Sequence, residues 1–589
     1  MPLRIDRAVA RLRSVDLDPP RVAFVALTVL PALTLAVLGW SRRWTHDDGF
    51  INYRIVTMLR SGHGPVFNIG ERVEAYTSPL WVGVLSVGDL LTPLQLEWIG
   101  VTFGIAIGAA GMVALVLGSR RLTGTSGDRW WLPLGVLVLL AVPPMWDFTT
   151  SGLENSLTLC WLGLVVVVLG RWSTGARPPT TAEAVLVGLG PLVRPEAAIY
   201  TVLVLALLLG ARWSRENWRI RLRVLGAALA IPVAYQLFRM AYFAAVVPNT
   251  ALAKSAQGQR WTDGWRYLDD LVGTYLLVMP LVLTAVGLLA CGNRLHGQRR
   301  LALAVLPVGA VLHTVYVVRS GGDYMHARLL LAPLVAFVAP CAVVPLRALR
   351  GPALAGPLVA VLVLWAGVSG VALRTDGLRE GEHTWIVDQR SSQVDSIDVA
   401  HPVTAEQQGW GRDSDLVAFV EGDQIFLDRE PLGVPPAPGV RTPLLATHGL
   451  GLPSVSVSPS VHVFDRLGLA DALTSRFEVP RRGLIGHEKP IPGAWLNARL
   501  SDELASPDLF VVGPGGPGVR PLHESTPASW SADVAAARRA LECEPLRRLD
   551  AATTEPLTPG RAVRNLVEAP GLTRLTIPAD PTVAITELC

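Results

Sequence analysis

The chain has 589 residues, of which half are apolar and only 17% are charged, whereas soluble proteins carry about a quarter charged residues. The formal net charge is +4, and no run of lysines or arginines resembles a nucleic-acid-binding patch. The composition therefore favours a protein embedded in a lipid bilayer and argues against nucleic acid as a partner.

Long apolar runs lie between Arg21 and about Leu373, and eleven of them are candidates for transmembrane helices, which need about 20 apolar residues. The first run is followed by Ser41-Arg42-Arg43 without a small-residue cleavage site, so we expect a retained helix and no cleaved signal peptide. The candidates are Val22–Trp40, Trp98–Gly118, Trp130–Met145, Leu157–Gly170, Ala182–Leu192, Ala197–Gly210, Val224–Val246, Thr274–Cys291, Leu301–Val318, Leu329–Val344 and Leu354–Leu373.

One further run, Ser78–Leu94, decides the orientation. It has about 16 residues and contains Asp89, so it barely reaches across a hydrocarbon core. If it crossed, the arginine-rich connections at 120–129, 212–223 and 294–300 would face outward, against the positive-inside rule. We therefore expect a juxtamembrane helix on the outer surface, within an outer loop spanning 41–97.

This orientation makes the chain a multi-pass protein of the plasma (inner) membrane with a cytoplasmic N-terminus. The periplasmic loops are then 41–77, 146–155, the turn at Arg194, 248–271 and 319–328. These loops contain the acidic, aromatic and glycine-rich segments, whereas the inner loops are short and basic. The active face is therefore expected on the periplasmic side.

The tail from about Thr375 alternates short apolar stretches with turn signals. Strands are predicted at Asp415–Val420, Gln424–Leu427 and Leu509–Val512, and an amphipathic helix at Ser529–Leu541. A segment of this length can bury a core of its own. We predict a membrane domain at 1–374 and a mixed α/β periplasmic domain at 375–589.

Two of the five cysteines, Cys543 and Cys589, lie in this tail. In an oxidising compartment two such cysteines favour a disulfide. Two unrelated free thiols are the alternative.

The first outer loop reads Trp44-Thr45-His46-Asp47-Asp48-Gly49-Phe50. Adjacent carboxylates just beyond a membrane helix are costly unless they are used or well solvated. Carboxylates suit sugar transfer because they accept a proton from an attacking hydroxyl and stabilise an oxocarbenium-like centre. The alternative is that Asp47 or Asp48 caps a helix over Gly49–Arg60.

Basic groups at the same level are candidates to bind a phosphate leaving group. Arg239 lies inside an apolar run, where an arginine is a functional candidate by default, although pairing with a neighbouring helix or snorkelling would also explain it. Solvated roles are equally open for Arg194, Lys254, His326 and Arg328. His46 and His63 could bind phosphate or form turn hydrogen bonds.

Several motifs in chain order carry a resemblance to a known family. They are Thr45–Ile51, Gly62–Asn68, Glu71–Trp81, Leu192–Glu196, Arg239 with Pro248–Lys254, Gly321–Arg328, Gly468–Asp471 and Gly486–Pro490. Together they resemble GT-C glycosyltransferases, and more narrowly the actinobacterial terminal β-(1→2)-arabinofuranosyltransferases. The fold implied is a GT-C type polytopic α-helical membrane protein with about 11 transmembrane helices and a C-terminal mixed α/β periplasmic domain that could bind carbohydrate.

The resemblance implies a decaprenyl-phosphate-arabinofuranose donor and an arabinan acceptor of the cell wall or lipoglycan, with net retention of configuration. It implies that Asp47 and Asp48 are essential, as nucleophile, base or electrostatic support. Donor phosphate or sugar is expected at His46, Arg194, Arg239, Lys254, His326 and Arg328. Acceptor contacts or structural support are expected from Tyr53, Glu74, Tyr76, Glu196 and Asp323.

Other readings stay open on the residues alone. A mannosyltransferase or another polyprenyl-phosphate-dependent transferase would share the architecture. A transporter of lipid-linked sugars would predict inverted repeats and polar groups near the midplane, and a non-catalytic polymer-binding scaffold would not need the two aspartates. No certain cofactor is indicated, although Asp47 and Asp48 could hold a divalent cation.

Overall fold

The computed structural model describes residues 18–175, 178–210, 217–254, 258–349, 352–375, 378–380, 385–410, 425–427, 430–479, 487–510 and 522–589. In the first part of the chain the α-helices are Pro19–Ser41, Asp47–Arg60, Pro79–Leu91, Leu96–Thr123, Leu134–Leu140, Pro144–Thr150, Asn155–Thr174, Thr181–Gly188, Gly190–Val193, Ala198–Leu209, Trp218–Phe243, Asn249–Ala253, Trp261–Thr274, Val278–Gly292, Gln298–Ser320, Leu331–Val338 and Pro352–Val371.

Within the described residues, five helices are long and apolar enough to cross a membrane. They are Pro19–Ser41, Leu96–Thr123, Asn155–Thr174, Trp218–Phe243 and Gln298–Ser320. A sixth would be the pair Trp261–Thr274 and Val278–Gly292, if this pair, bent by 87°, forms one span. The chain is therefore a polytopic helical membrane protein, as the sequence predicts.

Apart from Leu354–Leu373, which coincides with the 20-residue helix Pro352–Val371, the other predicted spans coincide with shorter helices, so the count of eleven stays a prediction. Proline and glycine explain several of the breaks. Pro143 and Pro144 separate Leu134–Leu140 from the helix that begins at Pro144, because proline lacks the N–H that a continuing helix needs. A second break lies within the run Ala182–Leu192, where the helix Thr181–Gly188 ends and the short helix Gly190–Val193 begins with Pro191 in its first turn. The run Ser78–Leu94 forms only the short helix Pro79–Leu91.

Two long helices, Leu96–Thr123 and Asn155–Thr174, form the most extensive helix pair of the bundle. Glycine permits this close approach: a Cβ on Gly111 would lie 2.7 Å from the Cys160 backbone, and one on Gly163 would lie 2.6 Å from the Gly111 carbonyl oxygen. Small residues are the usual means of bringing membrane helices together.

The tail combines helices with a small sheet. Its helices are Gln389–Ile397, Gly451–Ser456, Gly493–Leu500, Trp530–Leu541, Glu544–Thr554, Pro559–Arg574 and Pro581–Leu588. The four sheet strands lie in the spatial order Glu430–Pro431, Ile425–Leu427, Leu444–Thr447 and His462–Asp465. The last three are parallel, with Leu444 paired to His462. Two short antiparallel strand pairs lie outside this sheet: Trp131–Leu132 with Val344–Pro345 in the first part of the chain, and Leu378–Glu380 with Trp385–Val387.

The predicted tail elements are partly correct. The helix predicted at Ser529–Leu541 is confirmed as Trp530–Leu541, and Ile425–Leu427 is a strand. The strand predicted at Leu509–Val512 is wrong for its first two residues, which belong to the 3₁₀ helix Pro507–Phe510. The N–H of Leu509 donates to the Ser506 carbonyl, a turn that the preceding proline favours. Asp415–Val420, Gln424 and residues 511–512 lie outside the described residues.

A disulfide joins Cys543 to Cys589, as the sequence predicts. It ties the N-cap of Glu544–Thr554 to the last residue of the chain. Cys160, Cys291 and Cys341 are free.

Buried arginines fasten the tail to residues 41–97, the segment that the sequence predicts to be the first outer loop. The guanidinium of Arg54 donates to the carbonyls of Ser454 at 2.7 Å and Val461 at 2.8 Å. That of Arg72 donates to the carbonyls of Ala552 at 2.8 Å and Glu555 at 2.6 Å. The tail has its own apolar core around Trp495, and a second core is shared with the outer loop. The boundary at 374 stays a prediction.

The five loops that the sequence assigns to one face meet at one end of the helices. Their side chains join in the site described below. At the other end, Arg294 pairs with Asp128 at 2.9 Å and Arg299 donates to the Leu122 carbonyl at 2.8 Å. The structure thus separates the motif-bearing loops from the arginine-rich ones.

Candidate active site

The two adjacent aspartates form the first turn of the helix Asp47–Arg60. His46 is the N-cap, and its Nδ1 accepts the N–H of Asp48 at 3.0 Å. The prediction that an aspartate caps a helix beginning at Gly49 is therefore wrong. The imidazole takes that place, and both carboxylates lie where the positive end of the helix dipole stabilises them.

The Asp47 carboxylate is held by the tail. It accepts the backbone N–H groups of Gly451 at 3.1 Å and Leu452 at 2.7 Å. A Cβ on Gly451 would lie 1.8 Å from the Asp47 carbonyl oxygen, so glycine is required at this contact. Burial raises the pKa of Asp47, although these amides favour its ionised form. Asp47 therefore connects the first turn of its own helix to the N-terminus of the helix Gly451–Ser456.

The Asp48 carboxylate faces a different group. Its Oδ2 lies 3.4 Å from a terminal nitrogen of Arg328, and its side chain is 23% exposed. Burial opposes ionisation, but His46, Arg328 and Lys254 outweigh it and lower the pKa of Asp48. Asp48 is thus an accessible, ionised carboxylate at the centre of the cluster.

Arg328 is the central cation of the site and is only 7% exposed. Besides Asp48, it approaches Asp323 and Glu154, each at 3.8 Å. Its Nε–H has no hydrogen-bond partner among the described residues. A buried guanidinium with a spare donor can bind an additional anion such as a phosphate.

Arg194 is already matched by two carboxylates. It forms ion pairs with Glu154 and, at 3.0 Å, with Glu196. Burial raises the pKa of Glu154, but the charges of Arg194 and Arg328 outweigh burial and lower it. Sequence reasoning missed Glu154, although a carboxylate directly before an apolar run is a signal of the same kind as Asp47 and Asp48.

Two further groups line the Asp48 side. Lys254 and His487 lie close enough to Asp48 to favour its ionised form, and the His487 ring packs edge-on against Tyr324 with centroids 5.3 Å apart. Sequence reasoning noted the tail motif at 486–490 but did not assign His487 to the site; residue 486 lies outside the described residues.

His326 does not join Asp48. Its Nδ1 forms an ion pair with Asp270, its Nε2 lies 3.0 Å from the Tyr275 hydroxyl, and its backbone N–H donates to Val387. With both ring nitrogens engaged, this histidine orders the loop that positions Arg328. Its phosphate-binding role stays a prediction.

Arg239 and two other predicted residues, Glu74 and Tyr76, belong to a separate cluster. Arg239 makes a two-bond ion pair with Glu74, at 2.6 and 3.1 Å. The Tyr235 hydroxyl donates to the same carboxylate at 2.6 Å and lies 3.1 Å from that of Tyr76. Tyr53 is buried beside Phe50 in the core shared with the tail. These contacts favour structural support over donor binding.

A metal site receives no support from the described residues, in which no three His, Cys, Asp or Glu side chains come together to hold an ion. The sequence prediction of a divalent cation at Asp47 and Asp48 stays untested.

Two curated proteins are similar to most of this chain. It is 33% identical to the terminal β-(1→2)-arabinofuranosyltransferase of Mycobacterium tuberculosis over 92% of this chain and 94% of that protein. It is 34% identical to the terminal β-(1→2)-arabinofuranosyltransferase of Corynebacterium glutamicum over 81% of this chain and 78% of that protein. No family model and no solved structure matches.

Proposed function

This chain belongs to the family of terminal β-(1→2)-arabinofuranosyltransferases, and we propose that it transfers arabinofuranose from decaprenyl-phosphate-arabinofuranose to the non-reducing ends of arabinan. The products are terminal β-(1→2) linkages on arabinogalactan or lipoarabinomannan. One observation supports placing this reaction at a particular site: the ionised Asp48 carboxylate lies beside the buried Arg328 guanidinium.

Asp48 is the group we place next to the anomeric carbon. A carboxylate there stabilises an oxocarbenium-like centre or attacks it. The lowered pKa of Asp48 makes it a weak base, so electrostatic or nucleophilic support fits it better than proton abstraction. Both carboxylate oxygens of Asp47 accept tail amides. Asp47 therefore acts by holding the start of the helix Gly451–Ser456 against the turn that carries Asp48.

The donor phosphate is assigned to Arg328 and Lys254. Arg328 offers the spare Nε–H, and both cations act on Asp48. A narrow pocket reaches from Arg328 and Arg194 along apolar walls that include Leu159, Leu331 and Val335. Its volume is about 20 Å³, which holds about one water, so this pocket must widen before it admits a phosphate that carries a polyprenyl chain.

The reaction is proposed on the periplasmic face of the plasma (inner) membrane, with about eleven crossings and a cytoplasmic N-terminus. The meeting of five motif-bearing loops beneath the disulfide-bonded tail supports this orientation. The arginine-rich connections at the opposite end agree with the positive-inside rule.

A transfer assay with radiolabelled lipid-linked donors tests the assignment. The full chain should transfer arabinose and not mannose, and Asp48→Asn should lower turnover by about 10² or more. Asp395→Asn, which changes an exposed aspartate of the helix Gln389–Ile397, is the matched control and should behave as the parent.

Mannose transfer at the higher rate would overturn the donor assignment. An Asp48→Asn variant that is inserted, folded and as active as the parent would overturn Asp48 as the catalytic residue, whereas the scaffold reading would stand only if the parent itself transferred no sugar.

A further inference from the structure

A large cavity lies away from Asp48, between the first outer loop and the tail. Its volume is about 1250 Å³, whereas pockets for single small ligands span about 300–1,000 Å³. Ile69, Gly70 and Glu71 form one wall, and the tail sheet and the helices Glu544–Thr554 and Pro559–Arg574 form the others. The cavity is large enough for several sugar units.

Its charges are balanced. Six arginines line it, namely Arg441, Arg499, Arg547, Arg548, Arg561 and Arg564.

Six carboxyl residues face these arginines, namely Glu71, Asp502, Glu544, Asp550, Glu555 and Glu568. Several are already paired: Arg548 with Glu544, and Arg561 with Glu555. Arg499 is bound by Asp471, with both contacts at 2.8 Å. Glu71 is protonated near neutral pH, and the adjacent Asp471 supplies the sixth negative charge. Such a lining presents many hydrogen-bond donors and acceptors with little net charge, which disfavours an anionic or cationic ligand.

Two titratable side chains that line the cavity, Glu71 and His462, are uncharged near neutral pH. Burial and the neighbouring Asp471 carboxylate raise the pKa of Glu71 to about 8, and burial lowers that of His462 to about 4. The two side chains lie 3.8 Å apart. A protonated Glu71 donates a hydrogen bond and a neutral imidazole can do either, so both suit hydroxyl groups.

The cavity is connected to the active site through one strand. Leu444 lines the cavity and begins the strand Leu444–Thr447. The chain then reaches Gly451, whose N–H binds Asp47. At about 3.3 Å per residue, the seven steps from Leu444 to Gly451 span at most roughly 23 Å. A chain bound in the cavity could therefore present its end near Asp48.

We propose that this cavity binds a neutral polyhydroxylated chain, an internal segment of the glycan whose end receives the sugar. This inference rests on the proposed function for the identity of the glycan. The site adds affinity for long acceptors and none for short ones, because a short acceptor reaches only the Asp48 centre.

A steric variant tests this with a matched control. Thr554→Trp puts a bulky ring into the cavity, whereas Thr586→Trp puts it on an exposed helix outside it. Both threonines are exposed, and both donate their hydroxyl to the carbonyl four residues earlier. A second variant, Arg547→Gln with Arg564→Gln, keeps donors but removes two exposed cavity charges.

Binding of purified arabinan to the full chain without donor is measured first. Thr554→Trp should weaken it about tenfold, the loss expected from one or two hydrogen bonds, and Thr586→Trp should leave it unchanged. Binding should depend little on salt. Tighter binding of dextran sulfate than of arabinan would show an anion site and overturn the proposal, as would unchanged arabinan binding by Thr554→Trp.

Transfer assays separate this inference from the proposed function. Thr554→Trp should raise KM for arabinan about tenfold, whereas the double arginine variant, which keeps hydrogen-bond donors, should change that KM little; both should use a synthetic arabinose disaccharide as the parent does. Equal losses for both acceptors would place the defect at the active site and overturn the inference. Arabinan binding that depends on the cavity, with no arabinose transfer by the parent, would overturn the proposed function alone.

Discussion

Asp47 and Asp48 are neighbours in the chain, but their carboxylates face different partners. Asp47 accepts the amides of Gly451 and Leu452, whereas Asp48 lies 3.4 Å from Arg328. The paired motif is thus divided into one residue that docks the tail and one that faces the cationic centre. The variants Asp47→Asn and Asp48→Asn should therefore have different effects.

Asp47→Asn should loosen the start of the tail helix Gly451–Ser456. The amide group can accept one of the two N–H bonds but presents its own N–H₂ to the other, so we expect faster hydrogen exchange at residues 451–452 together with reduced turnover. Asp48→Asn should lose turnover with exchange at 451–452 unchanged. Identical exchange in the two variants would contradict the division of roles.

Arg239 and Glu74 should behave as a structural pair. Arg239→Met leaves the Glu74 carboxylate buried without its guanidinium, which costs about 3–5 kcal/mol for buried pairs. We expect less folded protein in the membrane and an ordinary donor KM in the fraction that remains. In detergent, the double variant Arg239→Met with Glu74→Gln should have an unfolding temperature between that of Arg239→Met and that of the parent. A raised donor KM with unchanged stability would instead support phosphate binding by Arg239.

Cys543 and Cys589 should both be reachable from outside the cell. After mild reduction of intact cells, a membrane-impermeant thiol reagent should label both residues, because the tail is proposed to be periplasmic. The free cysteines Cys160, Cys291 and Cys341 serve as internal controls, since they lie in the helical bundle. Labelling of the tail only after the membrane is opened would reverse the orientation.

Glu71 should make stability depend on pH. Its pKa is raised from 4.5 to about 8 in the folded chain, so folding favours the protonated form, and this contribution is lost as pH rises from about 4.5 through 8. The unfolding temperature of Glu71→Gln should therefore exceed that of the parent by an amount that grows towards pH 8 and then levels off. Glu542→Gln, at an exposed position, should show no such trend.

The sequence predicts the class of fold and the centre of the site for clear physical reasons. Apolar runs and arginine bias depend on composition, which is visible in the chain, and the pairing of Cys543 with Cys589 follows from their being the two cysteines of the tail. The partner of Arg239 was not predictable, because Glu74 lies 165 residues away. The same holds for the amides that bind Asp47, since backbone groups carry no sequence signal.

The contact between Asp47 and the tail also sets an order of assembly. A nascent chain that ends before residue 400 already contains both aspartates and the Asp47–Arg60 helix, but it lacks Gly451, Leu452 and His487. The turn that carries both aspartates is completed only when segments some four hundred positions apart fold together. Under the proposed function, a chain whose tail has not yet folded would therefore transfer no sugar.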